Sequence, residues 1–149
     1  MYLFLIGLLV IILDQLSKYY VVQHFELGES VPVIQNIFHW TYILNPGAAF
    51  GMFEGQRWIF VLIAICVLFA MAHFKDEIMA SDWWTRYGVA LFVGGALGNV
   101  IDRVRQGLVI DFFDFRIWPI FNVADIAICC GVGMIIWSTL KSEILNKNA

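Results

Sequence analysis

Charge is what this chain has least of. Asp, Glu, Lys and Arg make up 14% of its 149 residues against 61% hydrophobic, and the mean hydropathy is +0.80. A soluble domain carries about 25% charged and about 45–50% apolar residues. The shortage excludes an ordinary water-soluble fold and points to one compact multi-pass membrane domain over 1–149. There is no Lys/Arg-rich run and no nucleic-acid motif, so nucleic acid is not an expected partner. The net charge of −3 decides little, because the charges fall in a few short stretches.

Cysteine is equally sparse. Cys66, Cys129 and Cys130 all lie in apolar runs and form no CxxC pair. An odd count in such surroundings argues against a disulfide framework, and the three are expected to be small buried apolar side chains. The apolar N-terminal run lacks a basic leader and a small-x-small cleavage site. It continues into charged residues at helical spacing, so it reads as a retained first helix.

Much catalytic machinery is missing too. His24, His39 and His73 form no HExxH and no His/Cys cluster, so neither a metal nor another cofactor is expected. None of Ser17, Ser30, Ser81, Ser138 and Ser142 sits in GxSxG. Ser17 is next to Lys18 and cannot share a helix face with it. No glycine-rich nucleotide loop is present, and no GxGD motif of the presenilin type. Carboxylates remain.

What is present is organised as four apolar runs, at about 2–22, 58–74, 84–101 and 120–140, each near the length that crosses a ~30 Å hydrocarbon layer. The expected fold is a membrane α-helical one, with four transmembrane helices and a small β-rich extramembrane segment, 23–56, between the first and second. Within that segment Ile37–Leu44 is aromatic and β-branched, which favours strand, and Pro46–Gly47 marks a turn. Lys75–Arg86 reads as a short polar loop whose Trp83 and Trp84 suit an interfacial belt. Gln106–Pro119 reads as a loop or re-entrant piece, and 141–149 as a polar tail. Asp14 and Lys18 are four apart on the first helix and can pair.

Four spans put both termini on one side. They gather Asp14, Lys18, Asn45, Asn99–Asp114 and Asn122–Asp125 near the other face. Lys/Arg bias does not orient the chain: Lys75, Arg86, Lys141 and Lys147 oppose Lys18, Arg57, Arg103, Arg105 and Arg116.

The densest stretch is GGALGNVIDRVRQGLVIDFFDFRIWPIFNVAD, Gly94–Asp125, with Asp102, Asp111, Asp114 and Asp125 set among apolar residues. Charges at a membrane edge are costly unless solvated, paired or used. Two carboxylates in one site share a proton, and the ionised member can activate a water. Asn122 is placed to cap the last helix, and Asp125 then falls in its first turn, where the helix dipole favours an anion. Asp102, followed by Arg103, reads as a paired structural carboxylate. Asp111, in LVIDFF with no adjacent cation, is the better catalytic partner. Asp114 reads as solvated loop.

These residues carry a resemblance. DQLSK (Asp14–Lys18), NPGAAFG (Asn45–Gly51), GGALGNVIDR (Gly94–Arg103), GLVIDFFDF (Gly107–Phe115) and FNVAD (Phe121–Asp125) occur in order, and the chain closely resembles the bacterial lipoprotein signal peptidases, signal peptidase II. The resemblance implies a membrane aspartyl endopeptidase with cytoplasmic termini. Its site would face the outer side of the bacterial inner membrane, and its dyad would be Asp111 and Asp125. Asp14, Lys18, Asn45, Gly47, Asn99, Asp102, Arg103, Asn122 and Ala124 match positions that support the dyad or contact substrate. The implied partners are membrane lipid and prolipoproteins carrying diacylglyceryl-cysteine, cut just before that cysteine. The cyclic peptide globomycin is the implied inhibitor. A monomer is expected. A non-catalytic four-span protein would instead place some acids near the bilayer midplane.

Overall fold

The computed structural model describes residues 2–47 and 55–147. In chain order the elements are α1 (Tyr2–His24), β1 (Ser30–Ile34), β2 (Phe38–Asn45), α2 (Arg57–His73), α3 (Lys75–Ala80), α4 (Trp83–Gln106), β3 (Val109–Asp114) and α5 (Val123–Lys147). The Ala48–Gly51 part of NPGAAFG lies outside the described residues.

The helices pack through small residues. α4 is the central one: α1, α2 and α5 all lie against it. The expected close approach at GGALG is present. A Cβ at Gly94 would meet the Gly7 carbonyl at 2.7 Å, one at Gly98 would meet Asp14 Oδ2 at 2.6 Å, and one at Gly95 would collide with the Ala124 carbonyl. Helix association in a bilayer gains no hydrophobic drive and relies on such close packing together with hydrogen bonds between helices. The outer surface is correspondingly apolar, with Phe4 72% and Phe69 74% exposed. Such a surface marks contact with something other than water. Of the helices, Tyr2–His24 and Val123–Ile144 are long and apolar enough to cross a membrane, and α2 is a shorter apolar helix.

The β strands form one antiparallel sheet in the order β1-β2-β3. The strand expected at 37–44 is β2, one residue later. β3 is a correction to the sequence reading. Residues 106–119 are not merely a loop, because 109–114 pairs with β2, with Ile43 opposite Asp111 and Asn45 opposite Val109. Gly107 makes this possible. It caps α4 in the left-handed region at φ 83°, and its N–H donates to the Arg103 carbonyl at 3.1 Å. The chain therefore leaves the helix directly into the strand. Phe112 and Ile110 on β3 are buried with Val21 of α1, and Trp40, Tyr42 and Leu44 of β2 pack around them. The sheet is thus clamped onto the end of α1.

Other expectations also shift. Lys75–Ala80 is helical within the stretch read as loop, and α5 runs on to Lys147, into the stretch read as a polar tail. α5 begins at Val123 rather than 120. Cys66, Cys129 and Cys130 are exposed, not buried, and Cys129 and Cys130 line the cavity described below.

Candidate active site

Asp111 enters the site because β3 alternates. Its neighbours Ile110 and Phe112 are buried in the sheet–helix core, and Asp111 is itself buried, 1% exposed. Both of its oxygens accept amide hydrogens: Oδ2 from Asn45 Nδ2 at 2.8 Å and Oδ1 from Asn122 Nδ2 at 2.6 Å. Asn45 is fixed in turn, since its Oδ1 accepts from the Gly47 N–H at 2.9 Å. Burial pushes the Asp111 carboxyl up to about 7, and the negative charge of Asp125 adds to this. The bonds from Asn45 and Asn122 oppose the rise without overcoming it.

Asp125 is positioned by a reciprocal cap. Asn122 Oδ1 accepts from the Asp125 N–H at 2.9 Å, and Asp125 Oδ2 accepts from the Asn122 N–H at 3.2 Å. This is the Asn/Asp version of a capping box. The N-cap and first-turn places expected for these two residues are therefore found. Asp125 Oδ1 accepts from Asn99 Nδ2 at 2.8 Å, so α4 holds the side that α5 does not.

Behind the two carboxylates lies a buried ionic cluster. Lys18 Nζ donates to Asp14 Oδ2 at 2.8 Å and to Asn99 Oδ1 at 3.0 Å, and pairs with Asp102 Oδ2 at 2.8 Å. The i,i+4 pairing of Asp14 with Lys18 is as expected. Asp102 is paired, as its context suggested, but with Lys18 rather than the adjacent Arg103. Its oxygens also accept from the Ile110 N–H at 3.3 Å and from Gln15 Nε2 at 3.0 Å. Asp14 Oδ1 accepts from the Ala124 N–H at 2.9 Å, satisfying one of the open donors at the start of α5. Two acids around one lysine are tolerated at this depth because every one of their four oxygens has a partner. Asn99 and Asn122 connect the cluster to the carboxylates, with Asn122 Nδ2 3.1 Å from Asn99 Oδ1.

Arg103 lies on the open side. Its Nη2 donates to the Gly47 carbonyl at 3.0 Å, its guanidinium sits 4.3 Å over the Phe60 ring, and it feels the charges of Asp125, Asp111 and Asp102. Asp111, Asp125, Asn45, Asn99 and Arg103 line one cavity of about 610 Å³ between α2, α4, α5 and the sheet. Phe60, Ile63, Val67, Phe92 and Ile128 supply an otherwise apolar wall.

All eleven residues singled out in the sequence converge on this region: the two aspartates, and Asp14, Lys18, Asn45, Gly47, Asn99, Asp102, Arg103, Asn122 and Ala124. Asp114 departs from its reading as solvated loop. It is 3% exposed and accepts from Thr41 Oγ1 at 2.8 Å, the Arg116 N–H at 2.8 Å and Arg116 Nη1 at 2.7 Å. Burial alone would raise its pKa. The bonds from Arg116 and Thr41 outweigh it and hold the carboxyl below the usual range. Asp114 therefore locks β3 to β2 on the strand face beyond the site. Gln15 was missed as a contributor; its position one residue after Asp14 was the available signal.

The chain is similar to known proteins over most of its length. The family model described as Signal peptidase (SPase) II matches residues 6–141. The chain is 47% identical over 140 residues to the lipoprotein signal peptidase of Moorella thermoacetica, covering 91% of each chain. It is 41% identical to that of Halothermothrix orenii, covering 94% of this chain and 96% of the relative. A bacterial membrane enzyme solved by the in meso method at 2.3 Å resolution superposes with a TM-score of 0.88 at 37% identity, covering 95% of this chain and 89% of that one. A second such structure, at 1.9 Å resolution, gives a TM-score of 0.83 at 38% identity, covering 94% and 93%. With a family match across nearly its whole length, relatives this similar and the fold of a membrane enzyme, the chain belongs to the signal peptidase II family.

Proposed function

We propose that this chain is a membrane aspartyl endopeptidase. It removes the signal peptide from diacylglyceryl-modified prolipoproteins by cutting just before the lipidated cysteine. The observation that carries the chemistry is the pair of unlike carboxylates on one cavity: Asp111 buried with its pKa pushed up to about 7, and Asp125 in the first turn of α5. Desolvation and a neighbouring negative charge favour the proton on Asp111, which leaves Asp125, in the first turn of α5, the role of base.

A water held between them gives a proton to Asp125 as its oxygen attacks the scissile carbonyl. Asp111 donates its proton to the carbonyl oxygen, so no unbalanced oxyanion builds up. The proton gained by Asp125 then passes to the leaving nitrogen, Asp111 takes back a proton from one hydroxyl of the tetrahedral species, and the species collapses to a carboxyl and a free amine with the pair restored. Asn45, Asn99 and Asn122 hold the carboxylates in place and need not touch substrate. Arg103, tied to the Gly47 carbonyl, holds the turn at the cavity mouth. The apolar wall suits a signal peptide and the acyl chains of the lipidated cysteine. It also suits globomycin, expected to inhibit. Neither a metal nor an organic cofactor takes part.

We place α1, α2, α4 and α5 across the bacterial inner membrane, with both termini cytoplasmic and the sheet and carboxylates at the outer face. α4, with 24 residues, extends about 36 Å at 1.5 Å per residue. It is long enough to span, with Asp102, Arg103 and Arg105 in its last turns at the outer edge. The protein acts as a monomer. The test is mass analysis of products from two forms of one precursor, with and without diacylglycerol on the cysteine. Cleavage of the lipidated form alone, leaving cysteine as the new N-terminus, is expected. Equal cleavage of both forms, or a cut elsewhere, would overturn the substrate assignment.

A further inference from the structure

α1 and α2 both pack on α4 and leave a cleft between them at the end of the bundle far from the aspartates. The cleft holds about 290 Å³ and is lined along α1 from Leu3 to Ile11 and along α4 from Arg86 to Leu97, with Met71 and Ile78 opposite. Its walls are apolar except at one end, where Lys75 and Arg86 stand. No acid lines it. Among the described residues, neither cation is in an ion pair, and Arg86 Nε is buried without a hydrogen-bond partner.

Two unpaired cations at the edge of an apolar cleft favour an acceptor, and with Nε itself shut off from solvent it approaches the rest of the half-buried Arg86 guanidinium and the exposed Lys75. The nearby carboxylates do not supply one. Asp82 is engaged by the Thr85 N–H at 2.9 Å and Ser138 Oγ at 2.8 Å, and Asp76 and Glu77 lie exposed on α3. An anionic acceptor from outside the chain, carried on an apolar body that fits the cleft, complements both the cations and the walls. It must also sit at the depth of a helix end in a bilayer. A phospholipid phosphate meets all of these conditions, and guanidinium groups match phosphate oxygens in geometry. A zwitterionic headgroup would bring an ammonium into a cleft with two cations and no acid. Basic pockets between helices on the cytoplasmic side of membrane proteins bind anionic headgroups on the same principle.

We propose that this cleft is a binding site for an anionic bilayer phospholipid, its phosphate between Lys75 and Arg86 and an acyl chain running along α1 and α4 toward Leu97. With the aspartates at the outer face, the site lies in the inner leaflet. It does not depend on the chemistry of the carboxylates. A lipid seated there fills the gap between α1 and α2 and ties both to α4 at the end the sheet does not reach.

The test uses delipidated full-length protein in detergent and native mass spectrometry with two probes of identical acyl chains, palmitoyl-oleoyl phosphatidylglycerol and phosphatidylcholine. The glycerol lipid is expected to be retained at least fivefold more strongly. K75Q and R86Q should each lower its retention about fivefold. V93W, which fills the cleft and leaves both cations in place, should lower retention as well. Equal retention of the two lipids, or retention unchanged in K75Q/R86Q and in V93W, would overturn the proposal.

Discussion

Replacing Asp111 by Asn should make the protein more stable while removing its activity. Burial and the charge of Asp125 raise the Asp111 pKa from the usual 3.8 to about 7. A carboxyl whose folded pKa is raised binds its proton more tightly in the folded state. Its stabilising contribution is fully present below the unfolded pKa and is lost as pH climbs to the folded one. Between about pH 4 and pH 7 the wild type should therefore lose stability. At about 1.36 kcal/mol per pKa unit, the loss is roughly 4 kcal/mol at most. An Asn side chain has no proton to lose, so this slope should vanish in the variant. Asn cannot accept from both Asn45 and Asn122, however, because one of its two terminal atoms is a donor. The mismatched contact costs about 1–2 kcal/mol. The net expectation at pH 8 is a variant more stable by about 2 kcal/mol, and at pH 4 one less stable by about 1–2 kcal/mol. Unfolding in detergent, followed across pH 4–8 for both proteins, reads this directly. Parallel stability curves, or a variant weaker than wild type at pH 8, would refute the reasoning about Asp111.

The same carboxyl sets the pH profile of cleavage: kcat/KM should fall above about pH 7 as the pair loses its shared proton, and initial rates in buffered detergent over pH 5–9 check it. Lys18→Met leaves Asp14 and Asp102 buried without their cation and should cost about 3–5 kcal/mol, read as a lower unfolding midpoint. Gly95→Ala drives a methyl into the Ala124 carbonyl and to 2.9 Å from Ile128 Cγ1, and should destabilise the protein by about 1–3 kcal/mol in thermal unfolding.

The long helices were legible because long apolar runs leave few alternatives, and their order already implies which polar residues share a face. That is why Asp14, Asn45, Asn99 and Asn122 could be grouped before their contacts were known. The Asn122 cap was legible because an N-cap and its first-turn acid are local. β3 was not. VIDFFD has the apolar character of a strand, but its partner β2 lies more than sixty residues earlier, and only the β2–β3 register settles the pairing. The fate of Asp114 followed from that miss. On a loop it would be solvated, whereas on β3 it is locked by Thr41 across the strand pair. Asp102 was correctly read as paired, but the wrong cation was adjacent in sequence. Lys18 comes from another helix, at a position that only the α1–α4 packing reveals. The cysteines were misplaced because apolarity alone does not say which residues of a helix its neighbours cover.

The claim that Asp111 and Asp125 together carry the reaction is tested most directly by a gel-shift cleavage assay on a diacylglyceryl-modified precursor, comparing wild type with Asp111→Asn and Asp125→Asn at equal amounts of folded protein. Each substitution should reduce cleavage by at least about a thousandfold, because a dyad acts as a unit and neither member suffices alone. Substantial cleavage by either variant, or loss on Asp102→Asn with Asp111→Asn still active, would contradict the account.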